Sequence, residues 1–196
     1  MRCYTKQRIS KVPNWHPLTL LLILLIAFPY TVQAKGFRIQ SAQTRQHEQV
    51  FLLDSQIDFA VSEEAQKALQ SGIPIIILLD IRVEQQRSWW WNKTVAELQQ
   101  GYLLLYHALT EKYIVNNLNS GAQTDYTSLT ATLSTLGRIE GLPLIDTALL
   151  NKGNHYLVRL RARLDIESLP APMRPLAYIS SDWQLTSDWY TWPLQY

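Results

Sequence analysis

The sequence predicts a mainly β fold: a two-sheet antiparallel β-sandwich, immunoglobulin-like or a related Greek key, with two short helices. Three observations lead there. From Phe37 onward, apolar and polar residues alternate with the period of two expected of half-buried strands. Turn-forming residues recur at short intervals between these runs. The segments with helical spacing are only about two turns long, enough for crossovers but too short to cover a parallel sheet.

Taken in order, VFLLDSQIDFAV places Leu53, Ile57, Phe59 and Val61 on one side of a strand and Asp54, Gln56 and Asp58 on the other. It runs into SEEAQKALQSG, where Ser62 is the expected N-cap, Glu63 and Glu64 suit the positive helix start, and Gly72 suits the stop. IPIIILLDIRVEQ, apolar on both faces from Ile75 to Leu79, is the expected central strand. GYLLLYHAL, KYIVNN and GAQTDY read as a meander with turn-rich connections. A second short helix is expected in SLTATLSTLG, with Leu129, Leu133 and Leu136 on one face, Ser128 before it and Gly137 after it. LPLIDTALLNKGN reads as a helical turn and a loop. HYLVRLRARLDI is the clearest strand, with Arg159, Arg161 and Arg163 alternating outward. LPAPMRP, with three prolines, reads as a loop or extended crossing before a strand-like aromatic tail.

Residues 1–34 carry a different signal. Arg2, Lys6, Arg8 and Lys11 precede an apolar run from Leu18 to Phe28, and Val32-Gln33-Ala34 supplies the small residues of a cleavage site. This is the composition of a signal peptide, expected to be cut after Ala34, the alternative being retention as a membrane anchor. Residues 35–196 are then expected to form one domain in the periplasm. Of 18 basic and 16 acidic residues, the leader holds four basic and no acidic ones, leaving 14 against 16. The basic balance therefore belongs to targeting, and no nucleic-acid partner is expected. Cys3 also lies in the leader, so the remainder has no thiol chemistry and holds together by packing.

Two constellations stand out as partner- or ligand-binding candidates. In QQRSWWWNKTVAEL, strand alternation puts Trp89 and Trp91 on one face and Trp90 on the other. On one reading two of them fill the core and the third packs under a loop or on Arg87. On the other at least one is exposed at a strand end, to meet a sugar, a membrane interface or a protein. The row Arg159, Arg161, Arg163 either binds phosphate or carboxylate groups or is a solvated face paired with carboxylates such as Asp54 and Asp58. No cofactor, metal or catalytic motif is expected: His47, His107 and His155 are dispersed, and a hydrolase would need one of them to meet a carboxylate and a hydroxyl in a cleft.

WWW at 89–91, YHAL at 106–109, NLNSG at 117–121, GRIEGLPLID at 137–146, LDIESLPAPMRP at 164–175 and WYTWPL at 189–194 together resemble an uncharacterised family of exported proteobacterial proteins, domain of unknown function 4390. The resemblance runs from about Phe37 to Leu194. It implies no assigned activity, ligand or site. Through the family's gene neighbourhood, beside a membrane sensor kinase and response regulator, it implies a part in envelope sensing. The function expected is that of a non-catalytic periplasmic protein-interaction module whose partner lies in the cell envelope, a membrane sensor among the choices. The alternative is a glycan- or lipid-binding module using exposed aromatics beside the arginine row.

Overall fold

A computed structural model describes residues 36–89 and 91–195. The expectations for the leader and for Trp90 lie outside the described residues. Nine strands form two antiparallel sheets among them. The smaller has the order β1-β2-β7, with β1 Phe37–His47, β2 Val50–Phe59 and β7 Arg138–Asp146. The larger has the order β6-β5-β4-β3-β8-β9, with β3 Ile75–Gln85, β4 Lys93–His107, β5 Lys112–Asn117, β6 Gln123–Tyr126, β8 Tyr156–Leu164 and β9 Tyr190–Leu194. β8 returns to lie beside β3 after the β3-β4-β5-β6 meander, which is a Greek-key order widened by one strand.

The sheets meet through one face of each. On β2, Phe51, Leu53, Ile57 and Phe59 point inward, and on the large sheet Ile77, Leu79, Ile81 and Val83 of β3 meet Val158, Leu160 and Ala162 of β8. The last seven are at most 1% exposed, so the centre of the sandwich is dry. Burying that many aliphatic side chains, at about 1.5–3 kcal/mol each, is the main source of stability in a domain without disulfides. β1 closes the stack over β8 and β9.

Two helices are where the sequence places them. In α1, Glu63–Gln70, the Ser62 hydroxyl accepts from the Ala65 N–H at 3.1 Å, and Gly72 takes φ +82° just beyond the end. In α2, Leu129–Leu136, Ser128 accepts from Ala131 N–H at 3.2 Å, and the helix packs on β2, β5, β6 and β7.

The structure corrects three expectations. A third helix, α3, spans Arg174–Ile179, starting on the last two residues of the proline-rich segment read as a loop and running into the tail read as strand-like, of which Tyr190–Leu194 is the strand; Pro175 lies in its first turn, where no N–H is needed. Residues 142–146, the start of the segment read as a helical turn and a loop, are instead the end of β7, an edge strand in which Gly141 (φ +65°) and Pro143 interrupt the apolar period and the pairing with β2 slips twice. Only Thr147–Leu149 is helical there, as one 3₁₀ turn. Finally, β4 begins at Lys93, eight residues before the Gly101 start that the sequence suggested.

β4 thereby outruns β5, which pairs with it only from Tyr102 to His107. Asn119 takes over where β5 stops: its carbonyl oxygen accepts from Gly101 N–H at 2.8 Å and its amide donates to Gln99 C=O at 3.0 Å. One side chain thus copies the pattern of a neighbouring strand.

The junction of α2 with β7 is the tightest point. Gly137 accepts from Ile57 N–H at 2.8 Å, and a Cβ on Gly137 would stand 2.0 Å from the Ile57 carbonyl oxygen. Backbone cannot step aside there as a flexible side chain would. Gly137→Ala is expected to destabilise the protein by about 3 kcal/mol, read as a lower denaturation midpoint in urea. An unchanged midpoint would show that the contact relaxes.

Candidate functional site

The outer face of the large sheet carries both the arginine row and an apolar half. Because β3 and β8 alternate, the residues that flank the core strip project outward as Asp80, Arg82 and Glu84 on β3 and Arg159, Arg161 and Arg163 on β8. The register sets Asp80 opposite Arg161 and Arg82 opposite Arg159.

Asp80 is the hub. Its Oδ2 accepts from Arg161 at 2.8 Å and from Arg163 Nε at 3.0 Å, while Oδ1 accepts from Gln99 Nε2 at 2.9 Å. Glu84 accepts from Arg159 at 3.3 Å and from Asn92 Nδ2 at 3.2 Å, and Arg82 Nε donates to Glu97 at 2.8 Å. The arginine row is therefore a paired face, but its carboxylates are Asp80 and Glu84 rather than Asp54 and Asp58. Those two sit on β2, in the other sheet: Asp54 accepts from Arg45 Nε and Gly141 N–H, each at 2.7 Å, and Asp58 accepts from Gln40.

One aromatic organises the cations. Leu160 pairs with Tyr190, so Trp189 falls beside Arg161, at the mouth of β9. The guanidinium carbons of Arg161, Arg159 and Arg82 lie 4.6, 4.9 and 5.2 Å from the centre of the Trp189 ring. Stacking on the indole, together with the carboxylates, lets Arg82 and Arg159 face each other across strands. Composition gives no hint of this role for Trp189. The complementary alternation of Asp80, Arg82 and Glu84 against the arginine row is the signal in the sequence that marks the ladder's true partner strand.

Beyond this ladder the same face becomes apolar. Leu103 lies opposite Ile76, and Leu105 opposite Ile114, all partly exposed and apart from the core cluster. Leu118, 48% exposed, folds over Gly101, where a Cβ would meet its Cδ1 at 3.1 Å.

The tryptophans are elsewhere. β3 ends at Gln85 and β4 starts at Lys93, so Trp89 and Trp91 occupy the hairpin tip, 91% and 94% exposed. The reading in which two of the three fill the core is overturned for this pair: a strand would alternate them, but the chain reverses here, and both indoles leave the sandwich. In the tail, Trp183 is buried and Trp192 half-buried.

His47, His107 and His155, the histidines among the described residues, are all exposed. Among the described residues the one contact recorded for an imidazole is His107 Nδ1 with Thr110 Oγ1, at 3.1 Å in a turn. Hollows between the elements are open, with volumes of about 200 to 370 Å³, one of them lined by Arg163, Ile166, Tyr178 and Trp183. No group of three or more His, Cys, Asp or Glu placed to hold a metal occurs among the described residues.

Burial opposes charge on Asp80, but the hydrogen bonds from Gln99, Arg161 and Arg163 outweigh it and hold the carboxyl below its ordinary range. A depressed carboxylate stabilises the fold above its unfolded value and loses that contribution as pH falls through the folded one. Asp80→Asn is expected to cost about 2 kcal/mol at neutral pH, and its deficit against wild type to narrow as the pH is taken from neutral to below about 4. Thermal unfolding at both ends checks this. A deficit that stays constant into acid would mean that charge is not its source.

Comparison with known proteins adds a family and nothing further. No curated protein and no solved structure matches the chain. A family model, described as a domain of unknown function, DUF4390, matches residues 34–193, which takes in both sheets, the arginine ladder and the tryptophan hairpin. The chain belongs to the DUF4390 family.

Proposed function

We propose that this protein is a non-catalytic module of the periplasm that docks against a protein of the cell envelope through the outer face of its six-stranded sheet. One observation carries the reading. Ile76, Leu103, Leu105 and Ile114 form a cross-strand apolar patch outside the core, bordered by a ladder of arginines, carboxylates and Trp189. A water-facing sheet surface is ordinarily polar, whereas protein interfaces join an apolar centre to a polar rim rich in Arg and aromatic residues. None of the hollows described above is lined by these four residues, which suits a protein better than a small ligand.

The electrostatics point the same way. With each arginine of the row already engaged by a carboxylate, the ladder offers orientation and specificity rather than a net positive field. Residues 1–34 support an exported location by their composition. A membrane sensor is the partner class that the family's gene neighbourhood suggests.

Photocrosslinking from the sheet face in bacterial envelopes tests the proposal. Leu105→Thr with Ile114→Thr keeps strand-compatible shapes while removing apolar surface, and should weaken the recovered protein crosslink on the order of tenfold. A double variant with native circular dichroism and an undiminished crosslink would refute the assignment of this face.

A further inference from the structure

The tryptophan hairpin lies apart from the sheet face and calls for its own explanation. β3 and β4 run out to Gln85 and Lys93, and beyond their ends the indoles of Trp89 and Trp91 stand almost wholly in solvent. Displaying so much apolar surface opposes the tendency that drives folding, so something other than the core is its destination.

The surroundings of the tip specify its chemistry. Arg87 stands two residues before Trp89 and Lys93 two residues after Trp91, and both are exposed. No acidic residue occurs between Gln85 and Lys93. The nearest carboxylate in sequence, Glu84, is occupied by Arg159 and by Asn92, which also ties the root of the loop to β3. A backbone bond from Gln86 N–H to His155 C=O at 2.9 Å fixes the other side of the root, and brings exposed His155 and the loop of Lys152 to the same end. The result is an apolar apex with a cationic collar one step behind it, mounted on the longest hairpin of the large sheet.

We infer that this hairpin inserts into the interfacial layer of a bilayer containing anionic phospholipid. Tryptophan prefers that layer, where its ring meets acyl chains and its N–H meets headgroups. Arginine and lysine at the collar are at the right level for the phosphates, and each adds attraction to an anionic surface. A protein pocket is the less fitting occupant, because tryptophans that anchor protein interfaces sit at the centre of a broad packed patch rather than at the end of a hairpin. The strands run toward the tip, so insertion stands the sandwich upright and leaves the outer face of the large sheet turned sideways, open to a neighbour on the same membrane. This inference does not depend on that neighbour.

Vesicles of phosphatidylethanolamine and phosphatidylglycerol carrying brominated acyl chains provide the test, since bromine quenches only indoles that reach the bilayer. The full chain is compared with Trp89→Ala/Trp91→Ala, and separately with Arg87→Gln/Lys93→Gln, which keeps both tryptophans. Quenching beyond that of the first variant is expected for wild type. Vesicle partitioning of the charge variant should fall on the order of tenfold, with neutral phosphatidylcholine reproducing the loss in wild type. All three proteins should keep the same circular dichroism, because the changed positions are exposed. Equal quenching of wild type and the alanine variant would overturn the inference, as would partitioning indifferent to lipid charge. A protein crosslinked at the tip in the absence of any quenching would reassign it to a protein partner. The sheet-face crosslink is read separately, so either assignment can fail alone.

Discussion

The two-residue alternation of β3, set between β4 and β8, is the constraint on which the rest of the structure depends. A central strand has both edges occupied, so its side chains have only two directions available, and a slip of one residue would exchange them all. Ile77, Leu79, Ile81 and Val83 make one direction intolerable to water, and Asp80, Arg82 and Glu84 make the other intolerable to a dry core. β8 carries the matching pattern, with small or branched apolar residues inside and arginines outside. Register, core and ladder therefore follow from one periodicity rather than from separate devices.

The ladder shows how a row of like charges is kept in a folded protein. Three arginines on alternate positions of one strand, with a fourth opposite, would repel if left alone. Asp80 and Glu84 are largely buried against the arginines, and Asp80 gains from its hydrogen bonds more than it loses to desolvation, while Trp189 supplies an electron-rich surface that three guanidinium groups share. Each group here has several partners, so the arrangement acts as a network rather than as isolated surface pairs, which contribute little individually.

Much of this was legible in the sequence where the local pattern and the tertiary outcome agree. β8, the core side of β2, both capped helices and the central position of β3 could be read from spacing and caps alone. β7 could not, because Gly141 and Pro143 break its period and its place at the sheet edge tolerates them. The start of α3 was hidden by Pro175, which a first helical turn accepts. The partner of the arginine row was misread because alternation tells which way a side chain points but not which strand lies alongside. Trp89 and Trp91 escaped the alternation rule for a related reason: the rule assumes an extended strand, and both lie in the connection between β3 and β4.

Asn119 ends the β4–β5 pairing at Gly101, and among the described residues Lys93–Leu98 of β4 has a strand partner only on the β3 side. Such a stretch is a template on which a stray strand from a second molecule would nucleate stacking. Lys93 and the exposed Glu97, the latter held in place by Arg82, stand as gatekeepers along it. Colloidal behaviour at high concentration thus traces to where one asparagine amide stops a ladder, and to the two charges that police what lies beyond it.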